Sequence, residues 1–313
     1  MMDLNKTAAI LSILNLKGIG PSFLKKNKNE IEILISKRDH PMDILLPLFK
    51  EKYNKEQYQI AISDAQQIIE TCSLNNIGIL NFYDEDYPKN LKENNKYPII
   101  YYIGNIPRIN QIIGIIGSRE ATEKGKIISQ RVGEYFVQRE CYILNGLARG
   151  IDQASFSGSD VISKTIGVVP GGLDYINSPL LSGEYKENAD RIFVGGGCLI
   201  SSFAPNVKQD QFKVVEYCEL QAELSSAMIL VQSKLDGGSR FTIKPFAQLK
   251  RKLGIINGSV YDNDVHSYEA NNAILNKKRE GISQFTGIKH ENIMCDLIGI
   301  NTREDYDEVI REN

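Results

Sequence analysis

Two segments of this 313-residue chain have the residue types and spacing to hold an anion. They are Ile112-Ile113-Gly114-Ile115-Ile116-Gly117-Ser118-Arg119 and Asn145-Gly146-Leu147-Ala148-Arg149-Gly150-Ile151-Asp152. Each contains glycines beside a polar or charged cluster and reads as a buried strand running into a turn. α/β proteins build anion-binding floors in this way, at the carboxyl ends of parallel strands, where backbone amides and helix amino ends face a phosphate. Two further turns have the same character, Pro170-Gly171-Gly172-Leu173-Asp174 and Asp236-Gly237-Gly238-Ser239-Arg240-Phe241-Thr242. Together they point to a phosphate-bearing partner, either a nucleotide or a nucleic-acid backbone.

Within the first turn, Gly117 permits close backbone approach, and Ser118 and Arg119 donate to an anion. Thr122 and Gly125 mark the start of the next helix, whose amino end favours negative charge. The plain alternative is a strand–helix turn with Arg119 paired to a surface carboxylate. In the second turn Gly146 and Gly150 enforce a sharp bend and Arg149 faces a phosphate. Asp152 is expected to cap the following helix, or else to shape the pocket or contact a base or sugar. Gly171 and Gly172 let a ligand approach the backbone. Gly237, Gly238 and Ser239 cradle a phosphate ahead of a helix near Thr242, with Ser239 as its cap in the alternative reading. Lys164, Arg240 and Lys244 add positive charge to Arg119 and Arg149, and Phe241 offers a ring for base stacking. One such turn is common; four converging on one sheet edge carry the argument.

The elements that must position these turns follow from hydrophobic periodicity. From Gln111 to about Val260, short apolar strands (Ile112–Ile116, Cys141–Leu144, Thr165–Val169, Cys198–Ile200, Met228–Val231, Gly254–Ile256) alternate with helical stretches around Lys124–Arg139, Gln153–Val161, Glu216–Leu224 and Phe241–Lys252. This alternation predicts a doubly wound, mostly parallel α/β sheet. Residues 1–72 read as a small helical domain, 73–285 as the α/β sheet domain and 286–313 as a C-terminal tail, part of a polar, less regular stretch from about Tyr261 to Asn313. Within the helical domain, Lys17-Gly18-Ile19-Gly20-Pro21-Ser22 forms a tight turn between helices. The pattern is that of a helix-hairpin-helix, whose amides contact a DNA phosphate, or of an ordinary helical hairpin.

Bulk composition narrows the function. Apolar residues make up 42% and charged residues 24%, and the formal net charge is −2. Nucleic acid would therefore be held by a local patch and not by a global basic field. No run is apolar enough to span a membrane, and the N-terminal residues Met1 to Lys6 lack a signal-peptide pattern, so a cytoplasmic location is expected. Five scattered cysteines without a CxxC pair fit a reducing compartment. Three distant histidines give no metal or acid–base cluster. GxSxG, HExxH and P-loop motifs are missing, so no catalytic residue, metal or cofactor is expected.

The order of these motifs resembles the DNA-processing protein A (DprA/Smf) family. The resemblance is carried by Gly114 to Arg119, Asn145 to Asp152, Thr165 to Asp174, Leu199-Ile200-Ser201 and Gly237 to Thr242, and upstream by Asp86 to Leu91, Tyr97 to Gly104 and Gly18 to Pro21. It implies an extended Rossmann-like fold and single-stranded DNA binding without catalysis, in a pocket lined by Gly117, Ser118, Arg119, Gly146, Arg149, Gly150, Gly171, Gly238 and Ser239. It also implies protection of single strands, a RecA-type recombinase as partner, a homodimer, and a role in DNA uptake and recombination or in a diverged defence function. The chain departs from the family pattern where Glu216-Tyr217-Cys218-Glu219 replaces an arginine-rich segment, and at Ser202 and Phe156.

Two other readings use the same turns. A nucleotide sensor would grip one NAD- or ADP-ribose-like diphosphate, and the loss of arginines fits it. A phosphoribohydrolase would need Pro-Gly-Gly-x-Gly-Thr, which Pro170-Gly171-Gly172-Leu173-Asp174 breaks after its second glycine.

Overall fold

A strand apolar on both faces must be covered on both faces, and Ile112–Ile116 is buried along its whole length. In the computed structural model, which describes residues 4–38, 40–92, 94, 96–107, 111–158, 160–176, 180–181, 183–260 and 262–311, this run lies inside a nine-stranded sheet. The strands are β1 (Gly78–Asn81), β2 (Ile99–Gly104), β3 (Ile112–Ile116), β4 (Tyr142–Asn145), β5 (Thr165–Val168), β6 (Cys198–Ser201), β7 (Ala227–Leu230), β8 (Lys252–Ile256) and β9 (Asp296–Ile300). Their order is β1-β2-β6-β5-β4-β3-β7-β8-β9. β2 pairs antiparallel with β1 and β6, and the strands from β6 to β9 are parallel.

The chain runs outward from β3 through β4 and β5 to β6, then returns to β7 on the other side of β3. Strand order therefore reverses at the β3/β7 pair, where the register aligns Ile116 with Leu230. In open α/β sheets a crevice forms outside the carboxyl ends of the strands at such a reversal.

Helices cover both faces. Five come first: α1 (Leu4–Asn15), α2 (Pro21–Lys26), α3 (Lys28–Lys37), α4 (Pro41–Phe49) and α5 (Lys55–Leu74). α1 packs on α5, and an Asn54/Gln57 capping box starts α5. The side chain of Asn81, in β1, donates to Thr7 Oγ1 at 3.2 Å, and the apolar core of these helices continues into that of the sheet. The Gly18–Pro21 turn lies between α1 and α2, with Gly18 at φ +81° and Pro21 at the first position of α2. α6 (Lys89–Lys92), α7 (Glu123–Val137), α8 (Ile151–Ser155), α9 (Gly183–Val194) and α10 (Lys213–Leu224) follow. α11 (Arg240–Phe246), α12 (Glu269–Lys277) and α13 (Arg279–Thr286) bury Ile243, Phe246, Ile274, Ile282 and Phe285 in a second core beside Leu253 and Ile255. α14 (Tyr306–Ile310) packs on β8 and β9.

Several sequence expectations need correction. The helix expected over Gln153–Val161 ends at Ser155, before Gly158. The helix expected over Phe241–Lys252 ends at Phe246, one residue after Pro245, and Lys252 already belongs to β8. α9 was missed, although Tyr185, Ala189 and Ile192 are buried at helical spacing. The stretch read as polar and less regular holds α12, α13, α14 and the edge strand β9, whose partial exposure weakens the alternating signal. Tyr261 and the final residues of that stretch, Glu312 and Asn313, lie outside the described residues, as do Met1, Met2 and Asp3.

Candidate functional site

At the β3/β7 reversal two glycine turns are stacked. The Ser118 amide donates to Gln232 O at 2.8 Å, so the turn after β3 is fastened to the segment after β7. The Ile151 amide donates to Ser118 O at 3.1 Å, which lays the turn after β4 on the turn after β3. This contact requires glycine at 150: φ is +81°, and a Cβ would stand 2.3 Å from Ser118 O. Gly117 is equally confined, since a Cβ there would meet Ile151 Cγ1 at 2.7 Å.

Asp152 lies beneath both turns. It was expected to cap α8, but Gly150 holds the cap position, and the Asp152 carboxylate accepts the Gly146 amide at 3.0 Å. Burial pushes its carboxyl up to about 7; the amides of Gly146, Ala148 and Gly117 and the Arg119 charge oppose that shift. Asp152 therefore gathers amides from both turns. On the other side Tyr217 of α10 donates its hydroxyl to Gly146 O at 2.5 Å, and burial raises that hydroxyl well above the ordinary tyrosine value.

These turns enclose a cavity of about 540 Å³. Gly117, Ser118, Ala148 and Asp152 line it from the stacked turns, and Val214, Tyr217, Cys218 and Gln221 from α10. Gly237, Gly238, Ser239 and Thr242 line it on the β7 side, with Lys234 and Phe241, while Arg119 and Arg149 also border it. A second cavity of about 720 Å³ adjoins the first and shares Arg119, Arg149 and Val214 with it. Its remaining lining includes Glu184 and Tyr185 of α9 and the segment Lys208 to Gln211. The two form one trough at the carboxyl edge of the sheet, with two arginines where they meet.

The sequence-derived residues divide between this trough and its supports. Gly117, Ser118, Arg119, Arg149, Asp152, Gly237, Gly238, Ser239 and Thr242 line it. Gly146 and Gly150 support it from behind, through the Tyr217 and Ser118 contacts. Ser239 makes no capping bond with its side chain, which donates to Ser233 Oγ at 2.7 Å. Gly171 and Gly172 approach the protein's own chain: the Gly172 amide donates to Val207 O at 2.7 Å, and a Cβ at 172 would meet Pro205 O at 2.0 Å. Arg240 turns back onto the Asp236 carbonyl and over the Phe241 ring, 4.8 Å from its centroid, and neither it nor Lys244 lines either cavity. Lys164 lies before the amino end of β5, at the opposite edge of the sheet, paired with Glu140 at 2.6 Å.

Sequence reasoning missed Glu184, Tyr185, Lys208 and Lys234. The first two come with the unrecognised helix α9; Lys208 and Lys234 sit in loops without a periodic signal. The acidic replacements Glu216 and Glu219 line neither cavity of the trough. They lie on another side of α10, beside Lys96 and Tyr97, in a groove against the N-terminal helices. No helix of the described residues is long and apolar enough to cross a membrane.

Comparison with known proteins places this chain in a family. Protein Smf of Synechocystis sp. is 25% identical over 249 residues, covering 76% of this chain and 61% of that protein. DNA processing protein DprA of Bacillus subtilis is 29% identical over 151 residues, covering 48% of this chain and 49% of that one. DprA of Streptococcus pneumoniae is 26% identical over 185 residues, 57% of this chain and 62% of the relative. The chain thus spans between 49% and 62% of the length of these relatives. The X-ray structure of the Streptococcus pneumoniae protein superposes with a TM-score of 0.63 at 18% identity, covering 100% of this chain and 99% of that one. A structure of DNA processing protein A from Helicobacter pylori, described for its single-stranded DNA binding mode, superposes with a TM-score of 0.54 at 20% identity, over 64% of this chain and 87% of that one. These two likenesses concern the fold. The model of the family named DNA recombination-mediator protein A matches residues 78–288, from β1 to just beyond α13, and this chain belongs to that family.

Proposed function

We propose that this protein binds single-stranded DNA in the trough at the β3/β7 reversal and acts without catalysis as a DNA-processing protein. The observation that carries this reading is the pair of adjoining cavities sharing Arg119 and Arg149. A single nucleotide needs one pocket, whereas a strand needs a lane with cations along it and a ring at its side. Lys234 and Phe241 in the first cavity and Lys208 in the second extend the lane on either side of the two arginines. The Glu216 and Glu219 carboxylates, outside that lane, do not face the strand.

Family membership extends this reading to protection of single strands and to a RecA-type recombinase as partner, since a recombination mediator acts on a recombinase. It extends also to a homodimer through the sheet domain, checked by sedimentation. The five cysteines are thiols, all buried, which supports a reducing cytoplasm. The nucleotide-sensor reading is the outcome to expect if a strand does not bind.

The test is fluorescence anisotropy of a labelled oligothymidylate with the wild-type protein and with Arg119→Ala, at low and moderate salt. Binding that weakens with salt and in the variant supports the reading. An oligonucleotide left unbound at low salt, with a mononucleotide or dinucleotide bound instead, overturns it.

A further inference from the structure

The two carboxylate oxygens of Glu184 go to different arginines. Oε1 lies 3.7 Å from Arg119 Nε and Oε2 lies 3.8 Å from Arg149 Nε. Those guanidinium groups come from different turns, one after β3 and one after β4, so a single carboxylate spans the two stacked turns. The arginine side chains are 53% and 60% exposed, and Glu184, in the first turn of α9, is 28% exposed. Arg119 also donates to Tyr185 Oη and stands 5.6 Å from that ring's centroid. The charged residues lining this second cavity are Arg119, Arg149 and Lys208 against Glu184 and Asp210.

We propose that Glu184 is a resident competitor for phosphate: its carboxylate holds the position between Arg119 and Arg149 that a strand phosphate takes on binding, and so sets a threshold that a ligand with several phosphates passes and a ligand with one does not. The inference rests on the strand-binding reading. Carboxylate and phosphate are alternative partners for the same guanidinium donors. A ligand with one phosphate exchanges one anion for another at these arginines and gains little. A strand brings further phosphates within reach of Lys208 and Lys234, and these contacts offset the displacement of Glu184. The opposite arrangement, in which Glu184 holds the arginines ready for ligand, predicts the opposite effect of removing its charge.

The test is Glu184→Gln, which keeps the side-chain size and removes the charge. Its affinity for labelled oligothymidylate is measured over a salt series beside the wild type, with thymidine monophosphate as competitor. The expected result is tighter strand binding by about 2- to 30-fold, from the release of two exposed ion pairs. The plot of log affinity against log salt should steepen by about 0.7, because the displaced Glu184 carboxylate of the wild type takes up about one counterion as the strand releases its own. The dissociation constant of thymidine monophosphate, taken from the competition curves with each protein's own strand affinity, should fall in the variant by a factor similar to that for the strand. Glu184→Asp, which retains the charge, should stay nearer the wild type on all three readouts. Equal or weaker strand binding by Glu184→Gln, with the wild type binding normally, overturns this proposal. A wild type that binds no strand at low salt overturns the strand-binding reading instead.

Discussion

Replacing Asp152 by asparagine should remove a definite part of the protein's pH dependence. Asp152 is buried beneath the two glycine turns, and burial lifts its carboxyl from 3.8 to about 7. A group whose folded-state value lies above its unfolded value binds more protons in the folded state through the window between the two. Its contribution is therefore fully present below about 4 and is lost as pH rises through about 7. At pH 5 roughly two units of the shift are expressed and at pH 8 almost none, so the Asp152 contribution falls by about 3 kcal/mol between them, at about 1.4 kcal/mol per unit. Asparagine does not titrate and retains an oxygen to accept the Gly146 amide. The assay is urea unfolding of the wild type and Asp152→Asn at pH 5, 6, 7 and 8. Every other ionisable group is common to both proteins and cancels in the difference. The wild type should lose stability relative to the variant as pH rises, with most of the change between pH 5 and 7. A stability difference that stays constant with pH would refute the argument, because Asp152 would then ionise alike in the folded and unfolded chain.

Two further substitutions test the supports and the boundary of the site. Gly150→Ala forces a side chain into φ +81° with its Cβ 2.3 Å from Ser118 O, and should cost more than about 3 kcal/mol in urea unfolding while loosening the stacked turns. Lys164→Ala lies at the opposite sheet edge and already has Glu140 as partner, so oligonucleotide affinity should stay within about twofold of the wild type by anisotropy.

Much of the sheet was legible in the sequence, because fully buried parallel strands read as uninterrupted apolar runs. β3, β5, β6 and β7 fall within one or two residues of where hydrophobicity puts them. β9 was not legible, because its residues are partly exposed and lie at the sheet edge. The site was partly legible for a related reason. Glycines before a charged residue at a strand's carboxyl end mark a turn, but they do not say what that turn faces. Gly117 and Gly238 line the cavity, whereas Gly171 and Gly172 pack against the protein's own Pro205–Val207 segment. Charge alone was a poorer guide still: Lys164 is placed by the sheet's direction, and Arg240 is turned away by its bond to Asp236 O. Glu184 carried no sequence signal as a site residue, since its role depends on α9 bringing it within reach of two turns distant in the chain. The Glu216–Glu219 segment stands as the converse case. Its acidity suggested repulsion of phosphate, but the helical rotation of α10 sends Tyr217, Cys218 and Gln221 to the cavity and the two glutamates elsewhere.

The central claim is that a single strand lies in the trough across Arg119. It is tested most directly by the salt dependence of oligothymidylate binding, read by anisotropy for the wild type and Arg119→Ala. The wild type should bind at low salt with an affinity that falls steeply as salt rises. The variant should bind more weakly by roughly 10- to 100-fold, the loss of one hydrogen-bonded charge, with a log–log salt slope shallower by about 0.7. A wild type that binds with the same slope and affinity as Arg119→Ala, or that does not bind at low salt, would contradict the account.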